Sequence, residues 1–160
     1  MKKSIALIWA AWLTHAAAWF LPVTREGTNF PDGLPGWQAF RVALGALWPY
    51  RDVEFEHWYN AMLATMSAVA TLLFILGSVW VVWSGSRTVR RVSAWVAVSA
   101  FVINAHWCVF VFLGPDPEHL RIGYFLWWLS FLLLAWGLFD LSRSKAYIAG
   151  RVLPDGSSAA

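Results

Sequence analysis

Four long apolar stretches, separated by two short polar breaks and one long one, set the plan of this chain. They run over Ile5–Leu21 (closed by Pro22), Tyr59–Trp83, Val92–Leu113 and Ile122–Leu141. A helix that crosses about 30 Å of hydrocarbon needs about 20 mostly apolar residues. Each stretch therefore predicts a transmembrane helix. The breaks Ser84-Gly85-Ser86 and Gly114-Pro115-Asp116-Pro117-Glu118 are tight turns, and short turns make neighbouring helices antiparallel. In the second break Asp116 is placed to cap the following helix, with Pro117 at its first position and Glu118 in its first turn. The pattern predicts an all-α fold, a four-helix antiparallel transmembrane bundle that makes residues 1–160 a single integral membrane domain.

The long break, Val23–Trp58, is of a different kind. Thr24–Gly36 is rich in Gly, Pro and polar residues and reads as irregular. After it Trp37, Phe40, Leu44, Leu47 and Trp48 fall at helical spacing, ended by Pro49, with Gln38, Arg41 and Gly45 off the stripe. This predicts a short interfacial amphipathic helix, lying on the membrane surface or capping the bundle. The tail, Ser142–Ala160, predicts an extension of the last helix to about Ile148 followed by a small, polar end. Met1-Lys2-Lys3, an apolar core and Ala16-Ala17-Ala18 also have the form of a secretory signal peptide. The apolar run is longer than a signal core, and His15 and Trp19 suit a cleavage region poorly, so the first stretch is expected to be retained.

Composition strengthens the membrane reading. The chain is 59% hydrophobic and 13% charged, where soluble domains carry about 25% charged residues. There is too little polar material to cover a globule in water. Thirteen tryptophans fit the same view, because indole favours the boundary between lipid and water. The net charge of +3 does not point to nucleic acid, since the basic residues flank the apolar runs instead of forming one face. Their distribution gives an orientation. Lys2, Lys3, Arg87, Arg90, Arg91, Arg143, Lys145 and Arg151 lie on one side; Arg25, Arg41, Arg51 and Arg121 lie on the other with seven of the nine acids. Both termini and the Arg87–Arg91 turn are expected in the cytoplasm of a bacterial cell, with the inner membrane as the location. Cys108 is the one cysteine, so no internal disulfide forms and the redox compartment is not marked.

Lipid is as apolar as leucine, so helix association must come from close packing of small residues and a few hydrogen bonds. Ala6, Ala10, Ala11, Thr14 and Ala17 in the first stretch, Ala61-Thr65-Ala68 and Ala64-Ser67-Thr71 in the second, and Ala97-Ala100-Asn104-Cys108 in the third are such stripes. The fourth stretch, rich in Leu and Trp, is expected to show more of its surface to lipid or to a partner.

Two groups of residues are candidates for chemistry. His15 and His106 sit within spans at similar depth in the outer half, and polar groups inside a bilayer need a reason. They are the candidate cofactor-binding pair, with haem between facing helices as the specific reading and two hydrogen-bonded neutral imidazoles as the plain one. At the outer mouth Glu56-His57 and Glu118-His119 each precede an inward-running helix. These four have the ligand types for a divalent metal or a general base. Acids in a first helical turn are also favoured by the helix dipole alone. No Cys-x-x-Cys, His-Glu-x-x-His, Gly-x-Ser-x-Gly or P-loop occurs.

Leu34-Pro35-Gly36-Trp37-Gln38-Ala39-Phe40 and Gly123-Tyr124-Phe125-Leu126-Trp127-Trp128-Leu129-Ser130-Phe131 resemble segments of uncharacterised small bacterial inner-membrane proteins of four helices. The resemblance implies the membrane fold and no activity. The leading functional expectation is a non-catalytic accessory, assembly or interaction subunit, binding a membrane protein partner or its own copy through Trp127, Trp128 and Trp136 with Trp37 and Trp48. The alternatives are a haem-binding or redox protein using His15 and His106, and a small transporter or membrane enzyme using the outer Glu/His residues.

Overall fold

In the computed structural model, which describes residues 2–25, 33–48, 58–84, 86–113 and 120–151, every apolar stretch is a helix. In chain order the elements are α1 (Lys2–Phe20), β1 (Pro22–Thr24), β2 (Leu34–Pro35), α2 (Gly36–Ala43), α3 (Trp58–Ser84), α4 (Arg87–Leu113) and α5 (Ile122–Arg151). Three of these helices are long and apolar enough to cross a membrane, over Trp58–Val81, Arg87–Leu113 and Ile122–Arg143. The sequence pattern predicts four. α1 is not among the three, because Lys2, Lys3, Thr14, His15 and its tryptophans dilute its apolar character.

α1 and α4 start earlier than expected, at Lys2 and Arg87, and α3 gains a residue at each end. α4 starts at Arg87, since Ser86 caps it by accepting from the Val89 N–H at 3.4 Å. Nothing apolar is needed to begin a helix once its first N–H groups have partners. α5 continues through the polar positions to Arg151. The long connection is less irregular than expected. β1 pairs antiparallel with β2, and Thr24 bridges to Leu120. Gly33 makes the approach to β2 at φ 76°, a conformation with no penalty for glycine. α2 is shorter than predicted, ending at Ala43 before a turn to Trp48. The Asp116 cap and the Gly114–Glu118 turn lie outside the described residues.

α5 is the central element. It packs along α1 on one side and α4 on the other, and Trp127 and Phe131 also bring it against α3. Along α1 and α5, Ser4 meets Asp140, Ile8 meets Gly137, His15 meets Ser130 and Leu21 meets Gly123. One step up α1 matches one step down α5 throughout, the register of a straight antiparallel pair. Small residues allow this closeness. A Cβ on Gly137 would lie 2.8 Å from Ile8 Cγ1, and one on Gly123 would lie 2.7 Å from both Leu21 O and Pro22 O.

The expectation that the last helix shows more of its surface is overturned. Phe131, Leu134, Ala135 and Leu138 of α5 are at most 4% exposed. Trp127 and Trp128 carry N–H groups, which are well used facing inward where an acceptor waits. The main core joins these residues to Ile8, Ala11, Phe74, Val81, Ala94 and Ala97. A second cluster, Val23, Leu34, Cys108 and Tyr124, lies toward the loop end, with Ala39 and Val42 of α2 packed on it. α2 therefore caps the helices, while Trp37, Leu47 and Trp48 remain exposed.

Candidate functional site

Hydrogen bonds between helices concentrate the polar side chains in two places. The first joins α3, α4 and α5. Trp127 Nε1 donates to Thr71 Oγ1 at 3.0 Å, and Ser67 Oγ donates to Asn104 Oδ1. The Asn104 amide donates to Ala100 O at 2.7 Å, and the Tyr124 hydroxyl donates to Asn104 O. Cys108 Sγ lies 3.8 Å from that hydroxyl, and Trp128 Nε1 donates to Phe101 O at 2.7 Å. Asn104 and Ser130 are fully buried. Removed from water, these groups need partners, and each partner comes from a neighbouring turn or helix. The stripe Ala97-Ala100-Asn104-Cys108 expected from the sequence is the inward face of α4.

The second place is the α1–α5 seam. Ser4 Oγ donates to Asp140 Oδ2 at 2.6 Å. Farther along, His15 is 2% exposed. Its Nδ1 lies 2.9 Å from Ser130 Oγ, and its ring stacks on Phe74 with centroids 4.1 Å apart and planes 7° apart. Phe131 meets it edge-on at 6.0 Å. Ser130 has one hydroxyl proton, which it gives to Trp127 O. His15 Nδ1 is then the donor to Ser130, leaving Nε2 as an acceptor. That Nε2 is buried and has no hydrogen-bond partner.

His106 sits elsewhere. It is two residues from both Asn104 and Cys108, which turns it to the opposite face of α4. Its Nδ1 lies 2.6 Å from Ile103 O, in the preceding turn, and its ring lies 4.7 Å from that of Trp107. His15 belongs to the α1–α5 interior, and His106, half-buried with its Nε2 closed off, to the face of α4 opposite Asn104 and Cys108; no described contact joins the two. Glu56, His57, Glu118 and His119 lie outside the described residues, and among the described residues no group of three His, Cys, Asp or Glu side chains is placed to hold a metal.

Two inward polar residues, Ser4 and Asp140, were not singled out by the sequence pattern, and a third, Arg90, entered only as one of the basic residues that set the orientation. Asp140 is the one acid among the described residues. The available signal was its place inside the last apolar stretch, where a carboxylate needs a partner. Arg90 is 4% exposed. It lies four and seven residues before Ala94 and Ala97, on the same inward face, and this spacing was readable.

No family model matches the chain, and no curated protein or solved structure matches it either.

Proposed function

We propose that this chain is a multi-pass protein of the bacterial cytoplasmic membrane, in which α1 crosses the bilayer beside α3, α4 and α5, and that it acts as a non-catalytic accessory, assembly or interaction subunit. One observation carries the reading. The inward polar side chains join helix to helix, whereas eight of the thirteen tryptophans are exposed. Trp9, Trp95 and Trp136 come to nearly one level by the helix registers, with Trp80 and Trp83 one to two turns farther toward the basic end. Lys3 Nζ lies 5.6 Å from the Trp136 ring. An aromatic band beside lysine is what a membrane interface favours. The same indoles are the residue type that anchors protein contacts. Trp127 and Trp128 are engaged inside, so the partner surface is better drawn around Trp9, Trp95 and Trp136.

Extraction in a mild detergent followed by native mass spectrometry tests the role. Release with a second copy or another membrane protein is expected; a lone monomer under every mild condition counts against it. For the topology, Arg143→Cys and Trp48→Cys are made in a Cys108→Ala background. An impermeant maleimide applied to whole cells should label only the second, and the opposite pattern rejects the orientation.

His15 Nε2 favours a second reading, a haem-binding or redox protein. Its acceptor atom suits a metal ligand, while the placement of His106 on another face of α4 does not make the two a facing pair. An optical spectrum after expression with added haem decides it, since absence of a Soret band ends that reading.

A further inference from the structure

Among the described residues, the basic end of the helices holds a charge without a counterion. Arg90 is 4% exposed, and its Nε and Nη1 are buried with no hydrogen-bond partner. An arginine stays protonated in proteins, and a buried charge is costly unless it is paired and hydrogen-bonded. The acid nearest in level, Asp140, is held by Ser4 on the α1 side of α5 and makes no ion pair with Arg90. The pairing of Ser67 with Asn104 carries the antiparallel α3–α4 register to Val81 opposite Arg90, so the guanidinium lies where α3 ends and α4 begins. Arg87, Arg91 and Arg143 are exposed around it. The positive end of the α4 dipole adds to the same field.

We infer that Arg90 is the anchor of a phosphate-binding site at this end, and that its occupant is the phosphodiester headgroup of an anionic phospholipid. A guanidinium presents a planar fork of donors that matches phosphate oxygens two at a time. The three surrounding arginines attract an anion without each needing to touch it. The lipid source rests on the membrane reading; recognition of phosphate does not. Anionic headgroups lie at the level where this end would meet the cytoplasmic leaflet. Nε and Nη1 are closed off as the side chain now stands, so the long stem would turn the guanidinium out toward the headgroup, whose oxygens then supply the acceptors those two nitrogens lack.

The test uses the full chain in a neutral detergent, with thermal unfolding followed as phosphatidylglycerol, phosphatidylcholine or inorganic phosphate is added. Phosphatidylglycerol should raise the Tm of the parent protein and of Arg91→Gln, and phosphatidylcholine should not. Arg90→Gln should lose the shift, and Arg90→Lys, which keeps the charge without the fork, should keep part of it. Inorganic phosphate giving the whole shift assigns the site to free phosphate; giving little, it assigns it to lipid. Should Arg90→Gln fail to fold, native mass spectrometry of the parent protein replaces it. About tenfold more phosphatidylglycerol than phosphatidylcholine should then stay bound, the preference expected of hydrogen bonds to a charged group. An undiminished shift in Arg90→Gln, or equal retention of the two lipids, overturns the site.

Discussion

Adding one methyl group at Gly123 tests whether α1 and α5 are held as closely as the structure places them. The new Cβ would lie 2.7 Å from Leu21 O, 2.7 Å from Pro22 O and 3.0 Å from Leu21 C. Ordinary contact begins at 3.4 Å, so the backbone must give way by about 0.7 Å. All three atoms are main chain, so no side chain can turn aside. The same segment is tied by the Arg121 N–H donating to Val23 O at 3.0 Å and by the Thr24–Leu120 bridge. Overpacking costs about 1–3 kcal/mol, and Gly→Ala in a helix returns at most about 1 kcal/mol. Gly123→Ala should therefore destabilise by about 1–2 kcal/mol. Gly137→Ala should cost less, because its closest neighbour is the side-chain atom Ile8 Cγ1 at 2.8 Å, with the main chain at 3.2 Å. Gly77 is the control: a Cβ there meets nothing within 4 Å, so Gly77→Ala should be neutral or stabilising by up to about 1 kcal/mol. Far-UV circular dichroism during an SDS titration in mixed micelles orders the three. If Gly123→Ala and Gly77→Ala unfold at the same SDS fraction, the close α1–α5 seam is wrong.

Other expectations are more local. In a double-mutant cycle, Ser67→Ala and Asn104→Ala should couple by about 0.6 kcal/mol and by no more than about 1.7; zero coupling would deny their hydrogen bond. Trp127→Phe should cost about 1 kcal/mol, the worth of its bond to Thr71, whereas Trp136→Phe should stay within about 0.5 kcal/mol, both measured by the same titration. Cys108 is buried, so a maleimide should label it slowly in mild detergent and rapidly once SDS has unfolded the protein; fast labelling in both states would place it outside the core.

Helix positions were legible because each apolar run is long and its breaks are rich in Gly, Ser and Pro. The inward stripe of α4 was legible as well, since Ala97, Ala100, Asn104 and Cys108 recur at helical spacing. The choice of α5 as the central helix was not. Leu and Trp are equally at home against lipid and against another helix, and only the acceptors Thr71 Oγ1 and Phe101 O decide that Trp127 and Trp128 turn inward. Nothing local in α1 announces that Ser4 is opposite Asp140, because that contact joins the two ends of the chain. For the candidate site, depth along a helix put His15 and His106 at one level, but depth carries no angular information. Counting residues from Asn104 and Cys108 supplies the angle, and it separates them.

The α1–α5 seam orders events during synthesis. α1 leaves the ribosome before the helices it packs against, with Ser4 and His15 on the face that α5 later covers. α5 is made only after α3 and α4. Until α5 is made, the hydroxyl of Ser4 and the imidazole of His15 lack the partners that Asp140 and Ser130 supply, and the helices stay open on that side. Shutting the seam is therefore a late event: α1 stays unclasped until α5 arrives.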